Sequence, residues 1–159
     1  MLPFKAIRST ISQGLKAVLG VPIIEMNGGG KMPVGSFLTY HFDDVGSADA
    51  SLPALIQQGD ILLRQKTVNF TVSFLSFADL SEDSIELAMK VQDWFKTLGA
   101  EQLRDKLDVV VVKIGEVENR DINIGEEWER RHGFEVDFRA TDIAEAPLKW
   151  IETVTIKKE

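Results

Sequence analysis

Metal binding is the first chemistry that this sequence suggests, in the stretch "YHFDD" with His41, Asp43 and Asp44. Imidazole nitrogens and carboxylate oxygens bind divalent metals, and strand alternation predicts that His41 and Asp43 share one face. The other histidine, His132, has no ligand partner at a recognised spacing. A solvated strand end is therefore the favoured interpretation. A small metal-dependent hydrolase built on His41, Asp43 and Asp44 remains an alternative.

Phosphate binding is the second possibility, because residues 27–31 read "NGGGK". A nucleotide P-loop needs an earlier glycine at a fixed spacing and a hydroxyl residue directly after the lysine. Here Glu25 occupies that glycine position and Met32 follows Lys31. A dinucleotide fingerprint fails as well, since Pro33 stands at its third glycine. We predict a loop without a nucleotide.

Calcium binding and nucleophilic catalysis also lack required residues. In the calcium-loop pattern that starts at Asp121, Gly125 stands at a ligand position and His132 replaces the bidentate glutamate. Ser36 and Ser47 follow glycines, but neither lies in a G-x-S-x-G elbow. The sequence therefore predicts no catalytic, cofactor or metal residue, and a binding or structural role is favoured over an enzyme.

Composition limits the remaining classes of function. The chain has 159 residues, no cysteine and a formal net charge of −7. Such a length fits one domain, residues 1–159, and the missing cysteines exclude thiolate catalysis. An acidic surface does not grip the phosphates of nucleic acid, and no run reaches the ~18 apolar residues of a membrane span. Neither DNA binding nor a membrane partner is expected.

Helical periodicity predicts an N-terminal helix and one long central helix. In each helix, apolar residues recur at spacings of three and four. The first stripe consists of Phe4, Ile7, Ile11, Leu15 and Val18; the second consists of Leu87, Val91, Trp94 and Leu98. Gly99 is predicted to end the central helix, and a shorter helix follows over residues 100–107.

Strand alternation is clearest where Val68, Phe70, Val72 and Phe74 share one face. Leu75 and Phe77 then break the parity, which indicates a bulge, a twist or a strand end covered on both sides. Further strands are predicted over the extended stretches 21–27, 36–42, 109–117, 133–140 and 150–156.

Two long loops and one connection complete the prediction. Residues 27–35 and 43–60 are predicted to be loops, the second with at most one helical turn, and residues 142–147 to be a connection. The fold class is α+β, a mostly antiparallel β-sheet with the N-terminal helix and the long central helix packed on one face.

This order of elements resembles the neck or tail terminator proteins of tailed bacteriophages. The resemblance spans nearly the whole chain and is sharpest from Trp128 to Ile156, with "WERR", "FEVDFR" and "IETVTI". It implies a homo-oligomeric ring, commonly a hexamer, that caps the tail tube or joins tail to head. DNA passes through such a ring without specific binding. Its partners are the tail tube protein and the connector or neck proteins.

The same resemblance implies a location in the virion, at the neck, and in the host cytoplasm during assembly. Residues with polar or charged side chains on the strands are candidates for the contact between subunits: Asn69, Thr71, Arg130, Arg131, Glu135, Asp137 and Arg139. Arginine and carboxylate groups on neighbouring copies can pair by forked hydrogen bonds. Ion pairing within one subunit is the alternative. The two long loops are candidates for axial contacts.

Two other functions stay open at this point. The protein could be another head-completion or tail-assembly protein, or it could be a ligand-binding module with an apolar pocket. Only its position in an assembled particle separates the first of these from a terminal ring.

Overall fold

The computed structural model describes residues 1–48 and 51–148, and this part of the chain contains three helices and eight strands. The helices are α1 (Phe4–Leu19), α2 (Ser81–Lys96) and α3 (Leu98–Leu107). The strands are β1 (Ile23–Glu25), β2 (Phe37–Ala48), β3 (Ala54–Gln58), β4 (Ile61–Ala78), β5 (Val110–Ile114), β6 (Glu118–Asn119), β7 (Ile122–Ile124) and β8 (Glu127–Pro147). No helix in these residues is long and apolar enough to span a membrane.

The strands form a mixed sheet in the order β1-β2-β4-β8-β5. β3 pairs with β4, while β6 and β7 pair with β8. β1 and β2 run parallel, and the other pairs are antiparallel. The predicted α+β class with a mostly antiparallel sheet is confirmed.

The core lies between the three helices and one face of the sheet. Phe70, Val72 and Phe74 of β4 point into it, as the alternation predicts. Side chains from all three helices fill the same core: Ile7, Ile11, Leu15, Ala88, Val91, Trp94, Phe95 and Leu103. The opposite face carries no helix in the described residues, and we call it the outer face.

The central helix differs from the prediction. α2 ends at Lys96 and has 16 residues, the same length as α1. At Thr97 the backbone leaves the helical region, with φ −129° and ψ −111°, and α3 starts at once. Gly99 lies inside α3, and a β-carbon there would lie 2.4 Å from the Trp94 ring. The glycine thus permits close packing and does not end the helix.

The prediction of a loop over residues 43–60 is wrong. β2 continues to Ala48, and β3 and β4 form a hairpin with Gly59 and Asp60 at the turn. Gly59 has a φ of +61°, which fits the turn of a tight hairpin. Residues of β3 are exposed, so no alternation of buried and polar side chains marks this strand. The loop over residues 27–35 does separate β1 from β2.

The change of parity at Leu75 and Phe77 has a simple cause. β4 pairs with β8 from Ile61 to Ala78 without a shift of register, so no bulge occurs. Leu75 and Phe77 instead form a second apolar cluster with Phe37 on the outer face. The strand end is covered on both sides, which is one of the three predicted possibilities.

The strand β8 is longer than the sequence predicts. Residues 142–147 are not a connection, since they pair with residues 61–66 of β4. Pairing with a long partner strand here outweighs the turn preference of Asp142 and Pro147. The strand predicted over residues 150–156 lies outside the described residues.

Candidate assembly surfaces

Six of the seven predicted contact residues lie on the outer face of the sheet: Arg131 is opposite Phe77, and the other five lie farther along β4 and β8. In the register of β4 and β8, Asn69 is opposite Arg139 and Thr71 is opposite Asp137. The Thr71 hydroxyl donates a hydrogen bond of 2.7 Å to the Asp137 carboxylate. Glu135 follows on the same face. The structure therefore brings these five side chains into one polar strip.

The carboxylates next to this strip are already hydrogen-bonded. The Ser73 hydroxyl donates to Asp43 at 2.5 Å, and the His41 ring nitrogen lies 3.6 Å from the same carboxylate. In the described residues no group of three His, Asp or Glu side chains could hold a metal ion. His41 and Asp43 do share a face as predicted, but no third ligand joins them.

Glu135 is held by an arginine from the loop before β7. The Arg120 guanidinium donates to the Glu135 carboxylate at 2.6 Å and to Glu118 at 3.3 Å. The hydrogen bond to Glu135 is the main cause that raises the pKa of Arg120 above its ordinary value. The pair fixes this end of the strip within one subunit.

Arg130 and Arg131 are also engaged inside the chain. The Arg130 guanidinium donates to Asp121 at 2.9 Å, and the Arg131 backbone N–H donates to the same carboxylate at 2.8 Å. Burial raises the pKa of Asp121, but these hydrogen bonds outweigh it and lower the pKa below its ordinary value. Arg131 also lies 3.6 Å from Glu129. For these arginines the structure supports the intramolecular alternative.

An open apolar hollow lies at one end of the outer face, between the loop over residues 27–35 and the sheet. Its volume is about 630 Å³. Phe37 and Phe77 stack at 4.4 Å between ring centroids on its floor. Its apolar lining consists of Ile24, Met26, Met32, Phe37, Leu75 and Phe77. We call this feature the hollow. The apolar surface continues beyond Phe77 over Ile124 and Trp128, both more than half exposed.

A three-stranded arm extends from the other end of the sheet. It consists of β3, residues 61–66 of β4 and residues 142–147 of β8, and we call it the arm. All of β3 is exposed. Pairing between the strands places four aliphatic side chains together on the outer face: Ile56, Ile61, Leu63 and Ile143. An exposed apolar sheet surface of this kind marks an interaction site.

The edge of the arm lacks the usual protection against pairing with another chain. β3 reads "ALIQQ" and carries no charged side chain. Edge strands that remain unpaired usually carry lysine, proline or a bulge that blocks a second strand. Sequence reasoning missed the arm, although "GD" between the apolar runs "ALI" and "ILL" is a hairpin signal.

A buried serine and histidine cluster lies beneath the start of α2. The His132 ring nitrogen lies 3.1 Å from the Ser84 hydroxyl, which donates to the backbone carbonyl of Ser76. The Ser76 hydroxyl donates to the carbonyl of Ser84 at 2.7 Å. All three side chains are at most 5% exposed. The cluster fastens α2 to β4 and β8, and no substrate reaches it in this structure.

Comparison with known proteins gives one informative result. The model of a family described as "Phage neck terminator protein" matches residues 5–159. No curated protein matches the chain. Several solved structures match the chain; one of them shares 16% sequence identity with a TM-score of 0.37, and the match covers 86% of this chain and 92% of that one. A similarity of that strength does not establish a shared fold.

Proposed function

The chain belongs to the phage neck terminator protein family, and from this premise we propose that its copies form a closed ring that terminates the tail. Membership makes it a structural protein of the phage neck and a component of the virion. The ring, a hexamer, contacts the tail tube protein on one side and the connector or neck proteins on the other. It assembles in the host cytoplasm, and DNA passes through it.

The presence of two different unpartnered apolar surfaces carries this proposal. The hollow lies at the Phe77 end of β4, and the arm lies at the Ile61 end. A subunit of a ring needs two unlike lateral surfaces, because each copy contacts one neighbour with the first and another neighbour with the second. Exposed apolar surfaces of this kind mark interaction sites.

The polar strip on the outer face supplies the hydrophilic part of the proposed contact. Asn69 and Arg139 are exposed, and Asp137 is half-buried. Interfaces that form from folded subunits combine an apolar centre with a polar, partly hydrated rim. We therefore retain Asn69, Thr71, Glu135, Asp137 and Arg139 as contact residues. Arg130 and Arg131 contribute to the contact at the rim of the hollow while they keep their intramolecular ion pairs.

The charge of the chain supports passage of DNA. A formal charge of −7 per copy gives the ring an acidic character. Protein groups that neutralise phosphates hold DNA tightly, so an acidic conduit lets the genome slide. The loop over residues 27–35 forms the proposed axial contact with the tail tube or connector.

Native mass spectrometry with particle imaging tests the proposed function. The purified chain is mixed with the tail tube protein of its phage and measured before and after mixing. We expect a closed oligomer on the end of each tube. A chain that remains monomeric with tubes and with connector present, and that is missing from the neck of infectious particles, contradicts the proposal.

A further inference from the structure

We propose that the outer face of the arm of one copy docks in the hollow of a second copy. This inference rests on the proposed self-association and adds the two surfaces that meet. The arm supplies Ile56, Ile61, Leu63 and Ile143, and the hollow supplies the stacked Phe37 and Phe77 with Met26 and Met32.

Distance within the chain requires a second copy. Ile61 of the arm and Phe77 of the hollow are on the same strand, β4. At ~3.3 Å per residue, about 50 Å of strand lies between them, so an arm cannot reach the hollow of its own chain. A second copy presents the hollow without such a restriction. Each docked pair leaves one free arm and one free hollow for further copies.

The charges of the two surfaces are complementary. Among the described residues, Glu145 is the one charged side chain that the strand register places on the outer face of the arm. At the border of the hollow, Arg131 is offset by Glu129 at 3.6 Å and Glu25 is offset by Arg8 at 3.3 Å, which leaves the positive charge of Lys31. The hollow therefore presents net positive charge to an arm that presents negative charge. Such complementarity fixes orientation and opposes wrong pairings.

A face-to-face pair of two copies is the less favourable way to make the same contact. Both surfaces belong to the outer face, so two antiparallel copies could each insert an arm into the other. That arrangement also buries the polar strip with Glu135, Asp137 and Arg139 against its own copy. Full desolvation of these charged groups costs free energy, whereas a ring contact leaves them at a partly hydrated rim.

Introduced cysteines test the contact directly, since the natural chain has none. Gln58→Cys labels the exposed outer face of the arm, and Met32→Cys labels the hollow, where Met32 is 64% exposed. The chain with both substitutions is treated with a short bismaleimide cross-linker together with the tail tube protein. We expect a ladder of linked copies, whereas an equal mixture of the two single variants gives covalent pairs and no ladder. Lys106→Cys on α3, combined with Met32→Cys, is the control and gives neither product.

The outcomes separate this inference from the proposed function. A full oligomer by native mass without any link between arm and hollow overturns the docking and leaves the ring. A doubly linked pair without a ladder supports the docking and contradicts the ring. Absence of both oligomer and links overturns both.

Charge reversal provides a second measurement. Glu145→Lys is expected to lower the cross-linking yield about two- to fivefold, the effect of an exposed ion pair. Lys31→Glu added to the same chain should restore the yield. An unchanged yield in Glu145→Lys contradicts the proposed orientation of the arm.

Discussion

Trp94 packs its indole ring directly on the Cα of Gly14, so that a β-carbon at position 14 would lie 2.3 Å from ring atom Cζ2. The contact joins α2 to α1. No side chain other than hydrogen fits between the two helices at this height. The indole nitrogen is buried without a hydrogen-bond partner in the described residues.

Gly14→Ala should therefore destabilise the protein. Alanine in a helix gains up to ~1 kcal/mol over glycine, but forcing a methyl group into a packed core costs roughly 1–3 kcal/mol. Because the β-carbon would lie 2.3 Å from the ring, the upper part of that range applies, and we expect a net loss of about 1–2 kcal/mol in the free energy of unfolding, measured by urea titration. Lys5→Ala, at an exposed site of α1, is the control and should change stability by less than about 0.5 kcal/mol. Equal stability of Gly14→Ala and wild type would contradict the claim that the tight contact between Trp94 and Gly14 limits the side chain at position 14.

Ser84→Val should weaken the attachment of α2 to the sheet. The substitution removes the hydroxyl that contacts His132 and leaves the buried carbonyl of Ser76 with fewer donors. An unsatisfied buried polar group costs about 1–3 kcal/mol, so urea denaturation should show a loss of that size. Ser47→Ala, at an exposed site of β2, is the matched control. A loss no larger than that of the control would show that the cluster contributes little.

Asp121→Asn should reduce stability at neutral pH and remove part of the acid sensitivity. The folded pKa of Asp121 lies below its ordinary value of 3.8, so the ionised form stabilises the folded state above that pH. This stabilisation is lost as the pH falls through the folded pKa. The difference in unfolding free energy between wild type and variant should thus have its full size at pH 7 and decrease below about pH 3.8.

Asp105→Asn provides the comparison for this pH series, because Asp105 is 67% exposed and, within residues 1–48 and 51–148, forms an ion pair with Arg104 alone. We expect little effect of that variant at any pH. A difference in unfolding free energy between wild type and Asp121→Asn that stays constant down to pH 2 would contradict the role of the Asp121 charge.

Ile56→Lys should prevent ring formation while the subunit stays folded. The side chain lies on the arm and is 44% exposed, so a lysine is tolerated in the monomer but opposes burial against another copy. A central interface residue contributes roughly 2 kcal/mol or more, equal to at least about a 30-fold weaker association. Sedimentation with the tail tube protein measures the change.

Met89→Lys is the matched control for the arm. Met89 is a 53% exposed apolar residue on α2, away from both the arm and the hollow. Its replacement should leave the oligomer mass unchanged. The same loss of assembly in both variants would indicate a general effect of added charge.

The sequence determines the core of this fold better than its periphery. Val68 to Phe74 alternate because one face of β4 is buried, so simple periodicity finds them. β3 carries no such signal, since both of its faces are exposed in the subunit. The break at Thr97 escapes prediction for a related reason: the role of Gly99 depends on Trp94, which reaches it only after folding.

The candidate contact residues show the same difference between what local periodicity predicts and what depends on the tertiary fold. Parity alone assigns Asn69, Thr71, Asp137 and Arg139 to one face, and the structure agrees. The spacing of residues could not identify Asp121 as the partner of Arg130. Asp121 lies between β6 and β7 and meets Arg130 only in the folded chain. Pairing of charges between distant segments depends on the tertiary fold.

The uninterrupted pairing of β4 with β8 from Ile61 to Ala78 also has a mechanical consequence. A pull that acts on β4 at one end of this ribbon and on β8 at the other end loads all of its hydrogen bonds in shear at the same time. Bonds loaded together resist far more force than bonds that open one after another. In the ring proposed above, this ribbon gives each subunit a stiff element that connects its two contact surfaces.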